Sequence, residues 1–213
     1  MIKHVAVAGN IGAGKTTLCT QLAKSFGWEV HYESTKDNPY LSDFYEDMQR
    51  WSFNLQIYFL NSRYKQILDI QQGEKTVIQD RTIYEDAHIF APNLHDMGLM
   101  STRDFENYLD LFRTMCSQIN PPDLLIYLKA SIPTLVDHIQ QRGRDYEGSM
   151  SLDYLKRLNT RYEDWIDGYT EGRLLVINAD DIDFRNNPEG LSGVVNQVQA
   201  EIHGLFEGEK GTR

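Results

Sequence analysis

The stretch Gly9-Asn10-Ile11-Gly12-Ala13-Gly14-Lys15-Thr16-Thr17 decides how the rest of the chain is read. An apolar run, His4 to Ala8, precedes it, and an amphipathic run, Leu18 to Phe26, follows it. That order is strand, glycine-rich loop, helix, the context in which the pattern G-x-x-x-x-G-K-[ST] cradles phosphates. Gly9, Gly12 and Gly14 let the backbone bend so that successive N–H groups between Gly9 and Thr17 point inward at phosphate oxygens. The helix beginning near Lys15 adds the positive end of its dipole. Lys15 can reach the β- and γ-phosphates, and the Thr16 hydroxyl can ligate Mg²⁺. The stretch implies that a nucleoside triphosphate binds.

Outward from the loop, the bulk properties narrow the classes. A chain of 213 residues makes one α/β domain with a sizeable core. A formal charge of −10 argues against a general nucleic-acid binder, which would carry a basic face. The two cysteines, Cys19 and Cys116, lack metal-type spacing and suggest no disulfide scaffold. No run reaches the length of a membrane span and none resembles a signal peptide, so the expectation is a soluble, cytoplasmic protein.

Five apolar runs predict strands: Ile2 to Ala8, Trp28 to Tyr32, Thr76 to Gln79, Leu124 to Leu128 and Leu174 to Ile177. Helical patterns fall between them, at Thr16 to Ser25, Tyr40 to Met48, Trp51 to about Gln72, Ile83 to Phe90, Thr102 to Ile119, Ser131 to Gln141, Ser151 to Tyr169, and Pro188 to Phe206. Pro92-Asn93 reads as a break after Phe90, and Arg142 to Met150 as a mobile loop. The Trp51 helix repeats Phe53, Ile57, Leu60, Tyr64 and Ile67 at helical spacing, with Leu55 and Phe59 beside them. So wide an apolar arc suggests a subunit contact as well as a core contact. The expected fold is α/β, a central five-stranded parallel sheet flanked by helices, with one domain over residues 1–207 and a frayed tail at 208–213.

In such sheets ligands bind at the carboxyl ends of the strands. The phosphate loop, Glu33, Asp80-Arg81 and Lys129 all fall there. Glu33 is the candidate base for a hydroxyl acceptor. Asp80 is placed to hold a metal or its waters, and Arg81 to clamp a phosphate or orient Glu33. Arg142 and Arg144 offer guanidinium groups to the charge that develops on a moving phosphoryl group. Gln56 can make two hydrogen bonds to an adenine edge. Arg63, near the same face, can pair with Asp86 and present fixed donors and acceptors. Phe44, Phe90 and Tyr84 are candidate stacking surfaces.

With these residues assembled, the chain resembles the deoxynucleoside kinase family along most of its length. The motifs that carry the resemblance are Gly9 to Thr17; Trp51-Ser52-Phe53-x-x-Gln56-x-Tyr58 running on to Arg63; Asp80-Arg81-Thr82; and Arg142-Gly143-Arg144 with Glu147. The elements Asn38-Pro39-Tyr40 and Asp43-Phe44-Tyr45 resemble the bacterial deoxyadenosine and deoxyguanosine kinases most. Serine at 34 and threonine at 82 depart from the family's usual proline and serine.

The resemblance implies a P-loop kinase that moves the γ-phosphoryl group of ATP, with Mg²⁺, to a deoxynucleoside 5′-hydroxyl. Glu33 would be the base and Arg81 would hold both Glu33 and the 5′ region. Tyr45 and Glu147 would hold the 3′-hydroxyl. Gln56 would pair with the base, with Arg63 and Asp86 completing its recognition, and Arg142 and Arg144 would be lid residues at the phosphates. The Trp51 to Gln72 helix, with a neighbouring helix, would form a homodimer contact. Retention of Arg63 and Asp86 resembles the purine and deoxycytidine kinases and speaks against a thymidine-preferring enzyme. Overall likeness to the family points to deoxyadenosine, with deoxyguanosine or deoxycytidine as alternatives. A nucleoside monophosphate kinase would need a further cationic cluster. A regulatory GTPase would need an N-K-x-D guanine motif beside a D-x-x-G switch, and the N-K-x-D pattern is not present.

Overall fold

The computed structural model describes residues 2–33, 35, 38–144, 150–182 and 187–203. Glu147, Ser34 and the 208–213 tail lie outside them. Five strands form one sheet: β1 (His4–Gly9), β2 (Glu29–His31), β3 (Val77–Asp80), β4 (Leu124–Lys129) and β5 (Arg173–Asn178). All neighbours run parallel, in the order β2-β3-β1-β4-β5. Each strand agrees with the sequence reading to within a few residues. The central strands β1, β3 and β4 are buried on both faces, while the edge strands β2 and β5 are partly exposed.

The sheet has a helical layer on each face. Val5 and Val7 of β1 point into one core with α1 (Lys15–Phe26), α7 (Ile132–Arg142) and α9 (Pro188–Ile202). Ala6 and Ala8 point into the other, with α2 (Leu41–Glu46), α3 (Met48–Gln72), α6 (Thr102–Cys116) and α8 (Leu152–Asp167). The period-two alternation of a strand thus divides β1 between two cores. Cys19, as its place in α1 suggests, is buried. Among the described residues, no helix is long and apolar enough to cross a membrane.

Three features differ from the sequence reading. The helix expected over Tyr40 to Met48 ends at Glu46, because Asp47 adopts an extended φ of −141° and caps α3, accepting from Arg50 N at 3.0 Å. Of the expected stripe on α3, only Leu60 and Ile67 are buried; the buried face is Ser52, Leu55, Gln56, Phe59, Leu60, Arg63, Ile67 and Ile70. Phe53, Ile57 and Tyr64 stay half-buried.

Pro92 does not break its helix. The chain continues from α4 (Ile83–Glu85) through a π-helical turn, Asp86–Phe90, into α5 (Ala91–Asp96). Proline has no N–H and its ring clashes with the carbonyl four residues back. The widened turn, with Ala91 N–H bonded to Asp86 O, accommodates it.

Candidate active site

The strand register assembles the site. Val7 of β1 lies beside Asp80 of β3, and Arg81 N–H donates to Val7 O at 3.0 Å, so Asp80 and Arg81 emerge next to the phosphate loop. They open onto a cavity of about 580 Å³, bordered by loop residues Ile11, Gly12 and Gly14 to Thr17 at one end. Phe44, Tyr45, Gln56, Arg63, Asp86 and Phe90 border it elsewhere, with Glu33 and Arg81 also on its wall. Arg142 and Arg144 flank it as well. Of the residues that the sequence placed in a common crevice, most therefore meet.

The phosphate loop is braced from behind. Gly12 has φ +88°, and a Cβ there would stand 2.7 Å from Leu135 O of α7, so glycine is required on both counts. His138 of α7 bonds Gly12 O through Nδ1 at 2.8 Å. Asn10 turns away from the cavity: its amide donates to Leu155 O and Asn159 Oδ1 of α8, while its Oδ1 accepts from Ile11 N–H at 2.8 Å. Gly9, Asn10 and Ala13 therefore shape the loop without bordering the cavity. Lys15 is buried, with Nζ donating to Asn10 O at 3.1 Å. Burial, reinforced by nearby Arg81, brings its pKa down to about 8. A bound polyphosphate would restore the ammonium's partner.

Glu33 sits just beyond β2, gripped by two arginines through one oxygen. Arg63 Nη2 lies 2.8 Å and Arg81 Nε 2.9 Å from Glu33 Oε1. Burial pushes its carboxyl up, but Arg81, Arg63 and Lys15 outweigh burial and hold it at about 2. Arg63 also pairs with Asp86, Nε to Oδ2 at 2.7 Å, both side chains being buried. Burial drives the Asp86 carboxyl up to about 7 against the pull of Arg63 and Arg81. The spacing argument for an Arg63–Asp86 pair between neighbouring helices holds. Gln56 Oε1 is buried and has no hydrogen-bond partner among the described residues, and the side chain borders the cavity. A buried amide oxygen in this position has acceptor capacity to offer a ligand.

A hydroxyl–carboxylate pair lies at the loop's exit. The Thr16 hydroxyl donates to Asp80 Oδ2 at 2.5 Å, and buried Asp80 Oδ1 has no partner among the described residues. Burial raises the Asp80 pKa. One carboxylate and one hydroxyl beside a phosphate site fit Mg²⁺, which completes its octahedron with water and substrate phosphates.

Some expectations fail. Lys129 ends β4 at the right edge of the sheet but points to solvent, paired with Glu163 at 2.5 Å, and does not border the cavity. Tyr84 is core, meeting the Phe112 ring edge-on at a centroid distance of 6.2 Å. Arg142 is the last residue of α7 rather than part of a loop, and Gly143, left-handed at φ 61°, caps that helix. Phe90 borders the cavity and also carries the Arg81 guanidinium over its ring at 4.6 Å.

The sequence reading missed Glu85 and Tyr162. Fully buried Glu85 accepts from Thr82 N–H at 2.6 Å, Gly9 N–H at 3.3 Å and the Tyr162 hydroxyl at 2.7 Å. Arg81 Nη1 donates to that same hydroxyl at 2.6 Å. One carboxylate thus ties the phosphate loop to the arginine motif. Its sequence signal was present: Thr82-x-x-Glu85 is a capping box, and both reciprocal bonds form.

This geometry has relatives. A family model described as deoxynucleoside kinase matches residues 5–203. The deoxyadenosine/deoxycytidine kinase of Bacillus subtilis is 40% identical over 201 residues, 93% of either chain. The deoxyguanosine kinase of Lactobacillus johnsonii is 37% identical over 215 residues, 95% of either chain. A solved structure of deoxyadenosine kinase from M. mycoides with bound dATP superposes with a TM-score of 0.82 at 29% identity, over 92% of this chain and 99% of that one. A match that runs from the first strand to the last helix, supported by full-length relatives, places the chain in the deoxynucleoside kinase family.

Proposed function

We propose that this deoxynucleoside kinase transfers the γ-phosphoryl group of ATP to the 5′-hydroxyl of deoxyadenosine. The observation that carries the reading is Glu33 Oε1 held between Arg63 and Arg81 on the wall of the cavity that the phosphate loop opens into. A carboxylate beside a phosphate site needs a hydroxyl to bind; a passive nucleotide binder has no use for it. Both arginines engage Oε1, so Oε2 remains outside those two contacts. With its pKa near 2, Glu33 is ionised at every physiological pH and a weak base. It orients the hydroxyl and accepts the proton late, when the new O–P bond has already made that proton acidic.

Thr16 and Asp80 would hold Mg²⁺, which supplies neutralisation of the phosphate charge when bound. Lys15 and the loop N–H groups bind the donor phosphates. Arg142 and Arg144 approach from the end of α7, suited to the charge on the phosphoryl group in flight. Gln56 offers both a donor and an acceptor to the base, and Tyr45, with Glu147, would take the sugar 3′-hydroxyl. A second reading, deoxycytidine or deoxyguanosine as the better acceptor, is favoured by the substrate names of the Bacillus and Lactobacillus relatives. A homodimer and a cytoplasmic setting complete the proposal.

The deciding experiment is turnover by purified protein with ATP and Mg²⁺ against the four deoxynucleosides and their 5′-monophosphates. Fastest phosphorylation of deoxyadenosine is expected. Phosphorylation of monophosphates but not nucleosides would refute the reading.

A further inference from the structure

A chain of polar side chains, buried at His4 and Gln79 and half-buried at Gln66, crosses the sheet and ends on the backbone beside Glu33. His4 Nε2 donates to Gln79 Oε1 at 3.0 Å. Gln79 Nε2 donates to Gln66 Oε1 at 2.9 Å, and Gln66 Nε2 donates to the Tyr32 carbonyl at 2.9 Å. Gln79 is wholly buried on β3, after the apolar residues Val77 and Ile78. A glutamine there costs stability unless both ends of its amide are bonded, and here both are.

Each amide in the chain accepts with oxygen and donates with nitrogen, so the relay runs in one direction. At its start His4 Nε2 faces the amide oxygen of Gln79, which pairs with the tautomer carrying its proton on Nε2, and burial brings the His4 pKa down to about 4, so the ring is neutral. Gln79, bonded to His4 through oxygen, must present its amide nitrogen to Gln66. Gln66 must in turn present nitrogen to Tyr32.

The far end of the relay explains its use. The β2–β3 ladder stops at the pair His31–Gln79, so Tyr32 and Glu33 lie beyond the last sheet hydrogen bonds. Gln66 supplies the Tyr32 carbonyl with the partner that the ladder no longer provides. Arg63 lies three residues earlier on α3, on the same face, and holds the Glu33 carboxylate itself. Helix α3 therefore grips this segment twice, once by the main chain and once by the side chain.

We propose that Gln66 is a positioning residue for the acceptor site, holding Glu33 in place through the Tyr32 carbonyl, with Gln79 and His4 fixing which way its amide faces. The inference rests on the reading of Glu33 as the carboxylate that receives the acceptor hydroxyl. It deepens that reading by naming what keeps Glu33 from swinging with the edge of the sheet.

Steady-state kinetics with ATP and deoxyadenosine test it on Gln66→Glu, Gln66→Met and Glu33→Gln. Gln66→Glu keeps the acceptor for Gln79 and loses the donor to Tyr32; Gln66→Met loses both at similar volume. Both variants are expected to lower kcat roughly tenfold. Their KM for ATP should stay within about twofold, because the phosphate loop is untouched. In a Glu33→Gln background either change should add less than about a further twofold, since the effect acts through Glu33. A merely structural role would instead lower kcat by the same factor in both backgrounds, or lower only the melting temperature, and would overturn the inference. A loss in Gln66→Met alone would overturn it too, by showing that packing rather than the donor matters. If Glu33→Gln leaves kcat unchanged, the acceptor-site reading itself fails and takes this inference with it; a loss in Glu33→Gln without one in the Gln66 variants refutes the inference only.

Discussion

Arg81 stands at φ 72°, the one non-glycine side chain in the left-handed region among the described residues. That conformation costs roughly 1 kcal/mol or more for a residue with a Cβ, and it persists only where surrounding contacts over-determine it. They do so here. Nε meets Glu33 at 2.9 Å, Nη1 meets the Tyr162 hydroxyl at 2.6 Å, and the guanidinium plane lies over Phe90. These contacts use the fork and the flat face of arginine, which lysine does not have. Arg81→Lys should keep the fold and the net charge yet lower kcat by roughly 10²- to 10³-fold, because Glu33 loses one of its two anchors. Single-turnover kinetics with bound deoxyadenosine would separate this from weakened binding. A variant with normal kcat and a raised KM would show that Arg81 only binds substrate.

At the scale of elements, the π-helical turn Asp86–Phe90 has a local cause and a distant effect. Pro92 cannot donate to His88 O, and the widened turn removes the clash its ring would make. One residue absorbed in this way rotates everything beyond it by about 100° relative to a continuous α-helix. Asp86 and Phe90 can then face the cavity while Ala91 and Leu94 stay in the core. Pro92→Ala restores an N–H, letting the turn relax toward α-helix and rotating Asp86 away from Arg63. The KM for deoxyadenosine should rise roughly threefold to tenfold, with the KM for ATP unchanged. An unchanged nucleoside KM with a higher melting temperature would mean that the turn is tolerated strain with no bearing on the site.

The same element shows what could be read in advance. The strand–loop–helix order, Glu33 at a strand tip and the Arg63–Asp86 pair were legible because each depends on short-range pattern or on the parallel-sheet rule. Pro92 was misread because proline ends most helices, and whether it breaks or widens one depends on packing that sequence does not display. Gly143, the left-handed cap of α7, was the available sign that Arg142 belongs to the helix. Lys129 obeyed the strand-end rule yet faces solvent, since that rule selects an edge and not a direction. Tyr162 joins Glu85 across 77 residues of chain, and no local signal anticipates such a bond.

For the whole molecule, charge and apolar surface are both unevenly distributed. A formal charge of −10 coexists with Lys15, Arg63, Arg81, Arg142 and Arg144 around one cavity, so the attraction for polyphosphate is local. A row of partly exposed apolar residues runs along α3 and α6, which pack side by side. Helix α6 buries only Tyr108 and Phe112, leaving Phe105 and Leu109 half-buried and Leu111 36% exposed. Phe53, Ile57 and Tyr64 continue that surface along α3. The proposed homodimer would place a second copy of the chain here, since two helices meeting their equivalents across a two-fold axis would bury both rows at once. Placing a charge in the middle of this face tests it. Ile57→Glu should convert a dimer to a monomer in sedimentation velocity at micromolar concentration. Gln56 and Arg63 ride on the same helix, so the monomer should show a raised KM for the nucleoside before any change in the KM for ATP. Wild-type protein that sediments as a monomer would remove the dimer from the proposal and leave these rows as surface of another use.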